Sequence, residues 1–127
     1  MKRMMVVGAM GLAGVYSRYF IGILVSRFFV TSFPLATMSI NLAGSLLIGV
    51  VYVLGLEHAI ISEDLRIGIM VGFLGGFTTF SSYCLESTRL IEQGEWSRMA
   101  VYFLLSPLLG LGATLGGMAL TRFLLRG

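Results

Sequence analysis

The chain has 127 residues, of which 57% are hydrophobic and 12% are charged, and its formal net charge is +3. Soluble domains have roughly 25% charged residues, so this composition indicates a membrane protein. A helical span takes about 20 residues, so residues 1–127 accommodate one domain of four spans and no soluble domain. The positive charge comes from separated arginines, a pattern that does not suggest a nucleic-acid partner.

The first predicted span covers residues 4–29 and carries Gly8, Gly11 and Gly14 in its first half. Such small residues allow a second helix to approach closely. Arg18 follows in the same span, where an arginine costs about 2.5–3.5 kcal/mol unless it reaches water or a partner. Two interpretations stay open: the side chain extends to the membrane interface, or it lines a water-filled vestibule that concentrates anions.

The second predicted span covers residues 34–56, with Pro34 suited to a helix start. Thr37, Asn41 and Ser45 recur at every fourth position, which places them on one helical face. An asparagine amide in the middle of a membrane either bonds to another helix or contacts solvent or substrate. The spacing therefore predicts either an interhelical hydrogen bond from Asn41 or a continuous polar stripe.

The third predicted span covers residues 65–93, which is longer than a straight crossing requires. It contains the run G-F-L-G-G-F-T-T-F-S-S-Y-C-L-E at residues 72–86. The glycine pair at 75–76 predicts that the helix is broken there, at the centre of the span, with residues 77–79 as irregular backbone. Backbone groups freed in hydrocarbon are tolerated only where they are buried in protein or line a wet cavity. The run therefore predicts backbone that contacts an ion.

Three side chains after this interruption, Phe80, Tyr83 and Glu86, follow at intervals of three and share one side of the resumed helix. Aromatic residues at helical spacing ordinarily belong to a packed core. Ser81 and Glu86, however, are polar groups that are expensive on a dry surface. Their presence favours a polar pathway beside the two rings.

The fourth predicted span covers residues 99–125 and contains Tyr102 and Pro107. Its small residues predict tight packing against another helix; they are Gly110, Gly112, Ala113, Gly116 and Gly117. Across the chain we find no nucleophile with an adjacent base, no metal-ligand spacing and no phosphate-binding loop, so an enzyme is not expected.

The charges at the span ends give only a weak orientation signal. Four spans place both termini on one side, with five cations there against three on the other. Such a chain is expected to insert either way up, so that two copies assemble antiparallel. The five are Lys2, Arg3, Arg66, Arg122 and Arg126, and the three are Arg27, Arg89 and Arg98.

The run G-F-L-G-G-F-T-T-F-S at residues 72–81 resembles the signature of the Fluc (CrcB-type) fluoride ion channels. The elements Gly14-x-x-x-Arg18-Tyr19 and Thr37-x-x-x-Asn41-x-x-Gly44 resemble the family's first and second helices, and the likeness covers the whole chain. The resemblance implies an all-α protein of the bacterial inner membrane with four transmembrane helices. It also implies passive fluoride export by an antiparallel, dual-topology homodimer with two pores and a central structural sodium ion.

The resemblance further implies roles for individual residues. The pore aromatics fall at Phe80 and Tyr83, where tyrosine replaces the usual phenylalanine but retains a ring edge. The pore asparagine falls at Asn41, and the sodium site uses backbone carbonyls of Gly75 and Thr78 from both subunits. The polar rail and the vestibule complete the implied pathway, with Thr37, Ser81, Glu86 and Tyr102 in the first and Arg18 in the second.

The chemistry of these residues suits a small anion. Ring edges are positively polarised, and the Asn41 amide and the Ser81 hydroxyl donate hydrogen bonds. Together they replace part of a hydration shell that is costly to strip. We expect the carboxylate of Glu86 at a pore end, protonated or hydrogen-bonded. The predicted route enters near Arg18, passes Asn41, Phe80 and Tyr83, and leaves by Ser81 and Tyr102.

Two other functions remain open at this stage. A small proton-coupled multidrug exporter needs a membrane-embedded carboxylate, and Glu86 is the only candidate. Proton-coupled cation binding would favour the exporter, and fluoride flux without a proton gradient would favour the channel. A subunit that only packs against a partner would show no flux in liposomes.

Overall fold

The structure is a computed structural model that describes residues 1–126, and every regular element among them is helical. The helices are α1 (Lys2–Phe28), α2 (Leu35–Tyr52), α3 (Glu63–Ile67), α4 (Leu74–Phe77), α5 (Phe80–Glu92) and α6 (Trp96–Leu125). Two π-helical segments extend α2 and join α3 to α4; they are Val53–Glu57 and Gly68–Phe73.

Four stretches are long and apolar enough to cross a membrane. They are Lys2–Phe28, Leu35–Glu57, Glu63–Glu92 and Trp96–Leu125. The predicted four-span, all-helical architecture is confirmed, and the predicted bounds fall within three residues of these.

Ion pairs and hydrogen bonds identify the two ends of the bundle. At one end Arg3 donates to Asp64 at 2.8 Å, and two guanidinium nitrogens of Arg122 donate to the two carboxylate oxygens of Glu57. These contacts bring the start of α1, the α2–α3 loop and the end of α6 together. At the opposite end Arg98 bonds the hydroxyl of Ser32, which joins the start of α6 to the α1–α2 loop.

Glycines allow α1 to pack directly on the Gly68–Phe73 segment and α4. A Cβ on Gly14 would overlap the carbonyl oxygen of Phe73, and one on Gly76 would lie 2.5 Å from the carbonyl oxygen of Gly11. The predicted close approach is therefore confirmed at Gly11 and Gly14. Gly8, by contrast, has no atom within 4 Å of a Cβ position.

A second close contact joins α2 to α6. A Cβ on Gly49 would overlap the carbonyl oxygen of Thr114, and one on Gly117 would overlap that of Leu46. Gly112 and Gly116 have open space beside them. Only part of the predicted small-residue face of α6 therefore packs within the chain.

The predicted break at Gly75–Gly76 is wrong, because both glycines lie in the helical turn α4, as does Phe77. Of the residues 77–79 predicted as irregular backbone, the last two are confirmed. The extended residues are Thr78, with ψ 158°, and Thr79, with φ −149° and ψ 117°. A local hydrogen bond stabilises Thr79 in this extended conformation. The Thr79 hydroxyl accepts the Ser82 backbone N–H and so caps α5.

Candidate functional site

The extended segment between α4 and α5 is held by the side chain of Asn41. Its Nδ2 donates to the carbonyl of Thr79 at 3.0 Å, and its Oδ1 accepts the Thr79 backbone N–H at 2.8 Å. The Asn41 amide thus provides a hydrogen-bond partner for both the N–H and the carbonyl of Thr79, which lies outside the helices. Of the two interpretations given for Asn41, the interhelical hydrogen bond is observed, with the partner being backbone rather than side chain.

These bonds leave two carbonyls without their helical partners. The donors that would pair with Gly75 and Thr78 are the N–H groups of Thr79 and Ser82, four residues further on. Thr79 donates to Asn41 instead, and Ser82 donates to the Thr79 hydroxyl. Carbonyl oxygens of this kind suit a hard cation, so the donor set fits the sodium ligands that the resemblance implies.

A groove of about 490 Å³, which we call the Asn41 groove, lies beside this segment between α2, α4, α5 and α6. Its wall is mostly apolar, with an amide and several hydroxyls as the polar groups. Gly44 lines the groove and makes room for the Thr78 side chain, because a Cβ on Gly44 would overlap the Thr78 methyl group. The groove unites five predicted site residues, namely Asn41, Gly75, Thr78, Phe80 and Tyr83.

The two predicted pore aromatics differ sharply in exposure. The side chain of Phe80 is 76% exposed, whereas Tyr83 is 8% exposed. Their ring centroids lie 5.8 Å apart, and the Tyr83 ring packs 5.3 Å from that of Tyr102. The Tyr83 hydroxyl donates to the Phe103 carbonyl at 2.6 Å, which fixes the ring where it lines the groove.

Glu86 lies on the far side of this aromatic cluster. Its Oε1 accepts from the Thr37 hydroxyl at 2.6 Å, and its Oε2 accepts from the Tyr102 hydroxyl at 2.7 Å. Thr37 and Tyr102 are both buried. The prediction that Glu86 is hydrogen-bonded is confirmed, and three residues of the predicted polar rail form one bonded unit.

A second groove, which we call the Arg18 groove, has a volume of about 850 Å³ and runs between α1 and α2. It is lined by Arg18 and Arg27 and reaches Thr37, Thr79 and Ser82 at its inner end. Arg18 therefore lines a concave surface of the single chain. The vestibule and the interface interpretations both stay predictions.

Thr79 lines both grooves, and sequence reasoning did not single it out. Its position directly before α5, with Ser82 three residues on, is an N-cap pattern that was available. Ser106 was also missed; its buried hydroxyl oxygen has no hydrogen-bond partner within residues 1–126 and belongs to a residue lining the Asn41 groove. Ser81 is exposed and, within the same range, lines neither groove.

Comparison with known proteins identifies the family. The sequence profile of the family described as CrcB-like protein, Camphor Resistance (CrcB), matches residues 5–118. A protein of Maridesulfovibrio salexigens named fluoride-specific ion channel FluC is 39% identical, with 98% of each chain covered. Proteins of the same name from Prosthecochloris aestuarii and Pseudomonas putida are each 42% identical, covering 93% and 92% of this chain and 91% and 94% of their own.

These matches extend over most of each of the four spans. Each relative is covered over more than nine-tenths of its own length, so the likeness is to whole proteins. With four helices able to cross a membrane, the chain is a multi-pass bacterial membrane protein. It belongs to the CrcB-like family.

Proposed function

We propose that this protein is a fluoride-specific ion channel that exports fluoride passively across the bacterial inner membrane. The observation that carries the proposal is the Asn41 groove, where the Asn41 amide and the rings of Phe80 and Tyr83 line a largely apolar space. Amide hydrogens and ring edges are positively polarised. Such a space offers a small anion positively polarised partners. The names of the relatives support the same function.

The proposed route follows polar groups through the aromatic cluster. Fluoride gathers in the Arg18 groove, because a basic concave surface raises the local concentration of anions. It then passes the Asn41 amide and the edges of Phe80 and Tyr83. The route leaves past Ser81 and the unit formed by Thr37, Glu86 and Tyr102. Protein partners replace water at each stage, which lowers the cost of dehydration.

We infer that the working unit is an antiparallel homodimer. Phe80 projects from the chain with three-quarters of its side chain exposed, at the rim of an open groove. A second copy packed there would cover the ring and close the groove into a pore. A chain with only a weak charge bias can insert in both orientations, which an antiparallel pair requires.

A structural sodium ion belongs to the same proposal. The carbonyl oxygens of Gly75 and Thr78 lack their helical donors, and Gly75 is exposed toward the groove. Two such carbonyls from each copy would give four hard oxygen ligands. The ion would supply fixed positive charge at the subunit contact, where it would hold the two interrupted helices together.

The direct test is fluoride efflux from liposomes that contain the purified protein, with chloride as the comparison ion. We expect electrically driven fluoride flux without a proton gradient and much slower chloride flux. Flux that depends on a proton gradient and a cationic substrate would point instead to an exporter that uses Glu86. An absence of any flux would contradict transport by this chain.

A further inference from the structure

A third cavity, which we call the Arg89 pocket, opens at the end of the bundle where the α1–α2 loop lies. Its volume is about 320 Å³, and it is the most polar of the three concave surfaces described here. Its polar lining comes from the end of α1, the loop and the last turns of α5. The residues that matter are Ser26, Thr31, Ser32, Glu86, Arg89 and Gln93.

This pocket is connected to the bonded unit of Thr37, Glu86 and Tyr102 through Glu86. Glu86 lines the Arg89 pocket, while its two carboxylate oxygens accept from Thr37 and Tyr102 on the side of the aromatic cluster. Tyr102 in turn contacts the ring of Tyr83, which lines the Asn41 groove. A short chain of contacts therefore connects the Asn41 groove with the Arg89 pocket.

The charged side chains that line this opening are one carboxylate, Glu86, and one cation, Arg89. Within residues 1–126 the ion pairs involve Arg3, Arg98 and Arg122, and Arg89 takes part in none of them. Arg89 is exposed and lies one turn from Glu86 on the same helix. A carboxylate beside a pore repels anions, and a cation one turn away offsets that repulsion.

We propose that the Arg89 pocket is the outer mouth of the anion route and that Arg89 is the positioning residue that concentrates fluoride there. This inference rests on the proposed function and extends it, because it assigns the route a second opening and gives that opening a cation. The Arg18 groove then serves one end of a route and the Arg89 pocket the other. Both openings share Ser26 and Ala36, so within a single chain they lie near one another. A route across the membrane therefore uses the Arg18 groove of one copy and the Arg89 pocket of a second, inverted copy.

The experiment measures fluoride efflux from liposomes holding wild-type protein, Arg89→Gln or Arg89→Lys, at low and high ionic strength. A unit charge about 7 Å away in water changes the local anion concentration by about threefold. We therefore expect Arg89→Gln to lower flux about threefold at 0.01 M salt. The Debye length falls from about 30 Å at 0.01 M to about 8 Å at 0.15 M, so the deficit should shrink at the higher salt. Arg89→Lys should restore flux.

Arg98→Gln is the matched control, because Arg98 lies at the same end of the bundle but is paired with Glu95 and bonded to Ser32. It should change flux much less than Arg89→Gln. Equal effects of the two variants, or a deficit in Arg89→Gln that ignores salt, would overturn the assignment of Arg89 while leaving the channel intact. Wild-type liposomes without fluoride flux would overturn the channel itself and this inference with it.

A second experiment introduces either sign of charge at position 89 by chemical modification and measures fluoride flux. In a Cys84→Ala background, Arg89→Cys would be treated with a cationic or an anionic thiosulfonate reagent. We expect the cationic adduct to raise fluoride flux and the anionic adduct to lower it further. Identical effects of the two adducts would show that bulk, not charge, matters at position 89, and would contradict the proposal.

Discussion

The hydroxyl of Tyr102 donates to Oε2 of Glu86 at 2.7 Å, while Thr37 donates to the other oxygen at 2.6 Å. A carboxylate between two buried hydroxyls is held in one orientation, since each oxygen has its own donor. The two bonds come from α2 and α6 and meet on α5. The polar unit therefore joins three of the four spans at one point.

Removing either hydroxyl should uncouple this unit. Thr37→Val and Tyr102→Phe each leave one oxygen of the half-buried Glu86 without its protein donor, so that the carboxylate is held less firmly. We expect each variant to lose fluoride flux severalfold and the double variant to lose less than the product of the two. Liposome flux for the four proteins, arranged as a double-mutant cycle, measures that coupling.

Thr88→Val is the control for this cycle. Its hydroxyl bonds the carbonyl of Cys84 on the exposed side of the same helix, so flux should stay near the wild-type value. Strictly multiplicative losses for Thr37→Val and Tyr102→Phe would show that the two hydroxyls act independently of Glu86.

Asn41→Asp should disrupt the extended segment. The carboxylate oxygen that replaces Nδ2 would face the carbonyl of Thr79 at about the 3.0 Å now spanned by a hydrogen bond, so a donor–acceptor pair becomes two acceptors. We expect loss of fluoride flux and a free energy of unfolding lower by about 1–3 kcal/mol. Flux and denaturation in detergent measure the two effects.

Ser39→Ala tests the specificity of the Asn41 result, because Ser39 lies on the exposed side of the same helix. It should leave both flux and unfolding unchanged. Full flux in Asn41→Asp would remove the Asn41–Thr79 contact from the mechanism.

Periodicity and composition predicted much of this architecture. The four spans follow from hydrophobic length alone, and the face shared by Thr37 and Asn41 follows from a four-residue spacing. The site of the interruption followed only in part, because glycine permits a break without requiring one. The local cap of Thr79 on Ser82 and a long-range bond from Asn41, 38 residues away, both hold Thr79 in its extended conformation. No local pattern contains the pairing of Asn41 with Thr79.

The partners of Glu86 were equally beyond local reasoning. Its predicted hydrogen bonding came from the cost of a carboxylate in a membrane, which does not predict which residues donate the hydrogen bonds. The donors are 49 and 16 residues distant, and only the packing of α2 and α6 against α5 brings them together. Arg18 lines a groove of the single chain, and its vestibule role stays a prediction that follows from the cost of charge in a span.

Gly14→Ala should destabilise the fold. The added Cβ would overlap the backbone carbonyl of Phe73, and backbone in a packed pair of helices moves only at a cost. Overpacking of this kind typically costs about 1–3 kcal/mol. Gly8→Ala on the same helix meets no atom within 4 Å, so it should be neutral. Unfolding in mixed detergent compares the two, and equal stability would contradict the close approach of α1 to the Gly68–Phe73 segment.

Phe80→Ile should abolish most fluoride flux without harming the fold. The side chain is 76% exposed in the single chain, so its replacement removes little intrachain packing, yet an aliphatic residue has no positively polarised ring edge. Phe123→Ile makes the same chemical change at a residue that is 72% exposed on α6, and it should conduct normally. Liposome flux together with cross-linking of the dimer separates loss of the ring edge from loss of assembly. Unaltered flux in an assembled Phe80→Ile protein would place Phe80 outside the pathway.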